Sequence, residues 1–167
     1  MSTALSTFES SLDRLEVGWT RTTPDGFEDA LASAIDPPAV GVPLGIDGVS
    51  LDGTAVETPP TPRLLREANT GVTRAGKAIA RYGTLVVDSD PAGTEPVSLY
   101  PPTHVAVVRE SDVLPDVESA SDHLGVRFAD GGSSVFATGV SSTGDMGALV
   151  EGVHGPKHVH VLILEER

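Results

Sequence analysis

The chain has 167 residues, enough for one sizeable hydrophobic core and too few for two domains of ordinary size. Acidic residues number 24 against 11 basic ones, and the formal net charge of -13 repels nucleic acid phosphates and anionic lipid, excluding both as general partners. With no cysteine, disulfides and thiolate-held iron-sulfur clusters are excluded too.

The N-terminal stretch MSTALSTFESSLDRLEV is amphipathic and acidic, unlike a targeting leader, and no run of about 18 apolar residues occurs, so a soluble cytoplasmic protein is expected. Ser6 or Thr7 is placed to cap a first helix in which Phe8, Leu12 and Leu15 recur at helical spacing, followed by a strand near Val17 to Arg21. Asp25 can cap a second helix through Phe27, Ala30, Leu31 and Ala34, which Pro37-Pro38 must end. Val40 and Val42 begin another strand, GIDGVSLDGTAVE reads as turns, and a helix carrying Leu64, Leu65 and Ala68 follows TPPTP.

GVTRAGKAIARYGTLVVDSD holds two or three short strands in close succession, more meander than crossover. A strand is expected at His104 to Val108, a helix from about Pro115 to Leu124, and then the strand SSVFAT and the loop GVSSTGD. The ending HVHVLIL is apolar on both faces, the pattern of a strand covered on each side. One α/β domain spanning residues 1–167 is expected, with a mixed sheet, helices on both faces and a small antiparallel insertion.

Three segments could carry chemistry. Gly139, Ser141, Ser142, Thr143 and Asp145 follow an apolar strand, and Ser142-x-x-Asp145 fits a capping box; such a loop either offers free N–H groups to an anion or simply caps a helix. Next, GVHGPK places His154 on a turn flanked by Gly155, beside Lys157. That lysine is one of only two in a set otherwise made of nine arginines, and it either binds an anion or pairs with nearby carboxylates. Last, Gly83 and Thr84 open a strand at what reads as a pocket floor, with Arg81 as an anion clamp or an exposed edge residue.

No metal site is expected. Gly155 and Pro156 break any helix that would bring His154 and His158 together, so His154, His158 and His160 read as hydrogen-bonded polar groups. The Asp88-Ser-Asp90-Pro turn is a weak metal signal. Neither a Walker loop, a dinucleotide fingerprint nor a nucleophile elbow is present, so no cofactor is expected.

Thr138-Gly139-Val140-Ser141-Ser142-Thr143-Gly144-Asp145-Met146, followed by Gly152-Val153-His154-Gly155-Pro156-Lys157-His158-Val159, resembles the C-terminal signature of the lactate utilization protein C, or LUD-domain, family. GVTRAGKAIARYGTLVV and YPPTHVAVV match it as well, so the resemblance covers roughly Gly71 to Leu164. Val140 stands for the family's Pro, Gly144 for its Ala, and Arg81-Tyr82 for Glu followed by Thr or Ser. A catalytic duty of that Glu could not pass to Arg81.

The resemblance implies a three-layer fold similar to the NagB/RpiA/CoA-transferase group. It further implies an accessory part in oxidising L-lactate to pyruvate, beside an iron-sulfur protein and other components. The alternative is a small-molecule enzyme or a module binding a small anionic ligand. Abundant Asp and Glu with scarce Lys mark a haloarchaeal-type acidic member, an ordinary acidic protein being the other reading.

Overall fold

The computed structural model describes residues 2–145, 148–151 and 154–166, with only the backbone described for 143–145 and 148–151. In chain order the first half contains α1 (Thr3–Arg14), β1 (Gly18–Thr22), α2 (Phe27–Ala34), β2 (Ala39–Gly41), β3 (Val56–Glu57), α3 (Pro62–Glu67), β4 (Thr70–Arg74), β5 (Lys77–Ile79) and β6 (Thr84–Asp88). The second half contains α4 (Thr94–Leu99), β7 (Thr103–Arg109), β8 (Val113–Leu114), α5 (Ser121–Ala129), β9 (Ser134–Thr138), β10 (Ser142–Asp145), β11 (Ala148–Glu151) and β12 (His158–Leu164).

Six parallel strands form the main sheet in the order β1-β12-β7-β4-β2-β3. A second, mixed sheet runs β8-β5-β6-β9, and β10 pairs with β11 as a separate hairpin. The expected final strand lies inside the main sheet between β1 and β7, with Val161, Leu162, Ile163 and Leu164 buried. Its run is apolar on both faces because layers cover both faces.

Side-chain alternation sorts the core into those layers. On one face of the sheet Ala106, Val108, Val161 and Ile163 meet Leu5, Phe8 and Leu12 of α1 and the apolar residues of β5 and β6. On the other, Val72, Val105, Val107, Leu162 and Leu164 meet Phe27 and Leu31 of α2. The result is a three-layer α/β fold, with the second sheet sharing one layer with α1.

Several boundaries differ from the sequence expectation. Ser2, whose hydroxyl accepts from the Leu5 N–H at 3.2 Å, caps α1 in place of Ser6 or Thr7. Thr23 caps a short 3-10 turn that leads into α2, while Asp25 sits within that turn. The helix expected from Pro115 starts later, at Ser121, and α4 was not anticipated. In the structure Pro96 lies in the first turn, where its missing N–H costs no helical bond. Of the expected meander, β4 belongs to the parallel sheet and only β5 and β6 form an antiparallel pair.

Candidate functional site

The Gly139 and His154 segments come together. The Ser141 N–H donates to the Pro156 carbonyl at 2.9 Å. At Gly155 a Cβ would lie 3.0 Å from the Ser141 Cβ, so glycine permits this close approach. Gly139, at the end of β9, has φ of +71°, a left-handed turn that glycine adopts freely.

Between these segments, α4 and the β6–β9 edge lies a cavity of about 300 Å³. Gly139, Ser141, Ser142, His154 and Gly155 all line it. Beneath them are Ser98 and His104, two residues that the sequence reading did not single out as functional. The signal for His104 was present: it is a polar residue opening a strand that is otherwise apolar on both faces.

His104 is buried, and burial alone pushes its imidazole down to about 4. The ring is therefore neutral at pH 7, with Nε2 2.8 Å from the Thr73 hydroxyl. Ser98 is also buried and donates to the Glu95 carbonyl at 2.7 Å. The cavity thus has an uncharged polar floor, serine hydroxyls on its wall and an exposed histidine at its margin. A site of this kind can orient a small polar or anionic molecule by hydrogen bonds.

The other candidates are placed elsewhere. Gly83 does turn the chain, with φ of +68°, but it packs on α1: a Cβ there would lie 2.9 Å from Leu15 Cδ1. Thr84 uses its hydroxyl on Thr138 at 2.6 Å, joining β6 to β9; Thr138 lines the cavity and Thr84 does not. Lys157 is exposed and its N–H donates to the Pro102 carbonyl at 2.7 Å; it too is outside the described lining. Arg81 is exposed, its guanidinium 5.8 Å from the centre of the Tyr82 ring.

Ser142-x-x-Asp145 does not begin a helix. The backbone from Ser142 to Asp145 is strand β10, with Ser142 opposite Glu151 and Asp145 opposite Ala148. Gly144 and Gly147 would each cost a helix about 1 kcal/mol, whereas the ALVE segment that follows suits pairing. The side chains of Thr143 and Asp145 lie outside the described residues.

The remaining histidines separate. His158 is exposed, while His160 is half-buried with Nε2 3.0 Å from the Thr20 hydroxyl, and burial lowers its pKa. Its ring lies over Gly18, where a Cβ would come 2.7 Å from Nδ1.

Comparison with known proteins follows this architecture. The family model described as LUD domain matches residues 27–164. A lactate utilization protein C of Deinococcus radiodurans is 28% identical over 167 residues, covering 96% of this chain and 79% of that protein. Proteins of the same name from Bacillus licheniformis and Bacillus subtilis are 36% and 33% identical over 106 residues, 60% of this chain and 44% of theirs. The chain thus matches less than half the length of the two Bacillus relatives. A crystal structure of a duf162 family protein from Deinococcus radiodurans has the same fold, with a TM-score of 0.76, 24% identity and 96% of both chains covered.

Proposed function

The chain belongs to the LUD domain family, and we propose that it serves in lactate utilization as an accessory component, one LUD domain that does not oxidise lactate alone. The observation that carries this reading is the match over 96% of the chain to a protein named lactate utilization protein C. Oxidising lactate requires an electron acceptor, and the usual organic and cluster cofactors impose recognisable binding sequences. This chain has no cysteine and no dinucleotide fingerprint, so in this reading the electrons pass to an iron-sulfur protein and other partners.

The cavity under Ser141 and His154 takes a small carboxylate, held by hydroxyls and the neutral His104. Among the described residues no helix is long and apolar enough to cross a membrane, and the reading places the protein in the cytoplasm.

Deleting the gene tests the role. Growth on lactate should fall, a pull-down should recover an iron-sulfur protein, and the purified protein should be colourless and inactive on lactate with artificial acceptors. Normal growth on lactate would refute the proposal.

A second reading, a small-molecule enzyme, is favoured by the two serines, His104 and His154 around one cavity. A thermal-shift screen with lactate, pyruvate, CoA esters and sugar phosphates separates the two, because a ligand at about 100 times its Kd adds about 2.7 kcal/mol of stability. Turnover of a CoA-linked or phosphorylated compound by the protein alone, abolished in His154→Ala with the Tm retained, would establish the enzyme.

A further inference from the structure

A second cavity, of about 450 Å³, opens at the opposite end of the main sheet. Arg74 and Arg109, the last residues of β4 and β7, line it together with Lys77 of β5 and Arg127 of α5. It therefore sits outside the carboxyl ends of parallel strands, the region where open α/β sheets bind ligands. A chain with 11 basic residues and a net charge of -13 has placed four of those cations around one hollow.

Carboxylates meet these cations unevenly, and Glu166 also approaches Arg109, at 3.8 Å. Asp112 is buried and accepts from Lys77 at 2.5 Å, Arg109 at 2.7 Å and Arg74 at 3.3 Å. One carboxylate thus faces three cations. Asp88 takes His123 at 2.8 Å and the Ser134 hydroxyl at 2.6 Å, leaving the Arg127 Nε 3.8 Å away, beyond hydrogen-bond range. Asp90, the third carboxylate in the lining, uses its oxygens on the Thr94 N–H and hydroxyl.

Among the described residues, the buried side-chain polar atoms without a hydrogen-bond partner are Arg74 Nε and Arg127 Nε. Both belong to residues lining this cavity. A buried guanidinium N–H calls for an acceptor, and one oxyanion between the two arginines would supply it for both.

We propose that this cavity is an anion site that binds the phosphate group of a small phosphorylated molecule between Arg74 and Arg127, with Lys77 and Arg109 supplying further positive charge. A phosphate monoester carries about two negative charges near neutral pH and several acceptor oxygens. Planar guanidinium forks suit its tetrahedral oxygens. The first cavity, lined by serines and histidines with no arginine or lysine among its described residues, differs in this respect.

The test is titration of the full chain with inorganic phosphate and with glycerol phosphate at constant ionic strength, read by phosphorus NMR line width and calorimetry. Saturable binding in the millimolar range or tighter is expected. Arg127→Gln should weaken it at least about tenfold, because a bidentate charged contact is lost. Arg127 lies on a helix with no buried side chain, so this variant is expected to fold. Arg127→Lys, which keeps the charge but lacks Nε, should weaken binding less. Arg63→Gln, which removes an exposed cation elsewhere, should leave it unchanged. Absence of saturation up to about 20 mM phosphate, equal binding by all three variants, or equal binding of malonate in place of phosphate would overturn the proposal.

Discussion

Replacing His104 by glutamine should flatten the acid side of the stability profile. In the folded chain burial holds the imidazole at about 4, against 6.5 for the free side chain. Between those values the unfolded chain binds a proton that the folded chain refuses, so stability is present above about pH 6.5 and is lost as pH falls toward 4. From these two values the ring alone removes about 2.5 kcal/mol between about pH 7 and about pH 4.5. Glutamine can still meet the Thr73 hydroxyl but does not titrate. Urea unfolding of both proteins at the two pH values, in the same concentrated salt, gives the difference of differences. Contributions from carboxylates and from His160 cancel in that comparison. The variant should lose about 2.5 kcal/mol less than the parent on acidification. Equal losses would refute the claim that His104 is buried and neutral.

Asp112→Asn should destabilise by about 3 kcal/mol, read as a lower urea midpoint, because it removes the buried carboxylate on which Arg74, Lys77 and Arg109 converge. Burial raises the Asp112 pKa, but hydrogen bonds from Arg109 and Lys77 outweigh it, so the group stays ionised and its contribution persists well below pH 7. Gly71→Ala should cost about 2–3 kcal/mol, since its Cβ would fall 2.1 Å from the Val97 carbonyl oxygen and α4 would have to lift from the sheet. Lowering salt from molar to tens of millimolar should lower the Tm, because a longer screening length exposes the net charge of -13 to its own repulsion. An unchanged melting curve would contradict a halophilic origin for that charge.

The main sheet was legible where residues on both faces are apolar. VHVLIL read as a covered strand and HVAVV as a strand, and in both alternate residues meet different layers: Leu162 faces α2 and Ile163 faces α1. The Ser142 segment was misread because a capping box is a local pattern, while β10 depends on its partner β11 and two glycines weaken the helical alternative. Strand order was not legible at all. That β12 inserts between β1 and β7 depends on contacts between the two ends of the chain, which no window of sequence contains.

The two cavities differ in legibility for a physical reason. The first is built from two compact motifs whose glycines have backbone duties, a left-handed turn at Gly139 and close contact with Ser141 at Gly155, so local sequence announces it. The second draws Arg74, Lys77, Arg109, Asp112 and Arg127 from two sheets and a helix, and each of these alone reads as a solvated surface charge. The parallel alignment of β4 with β7 brings their final arginines to one end of the sheet, Arg74 opposite Val107 and Arg109 two residues further on, and the buried Asp112 holds them there against mutual repulsion. Clustering like charges costs stability. Asp112, shared by three neighbouring cations, makes the cluster tolerable while the Nε groups of Arg74 and Arg127 are left without an acceptor, the feature an anion site offers its ligand.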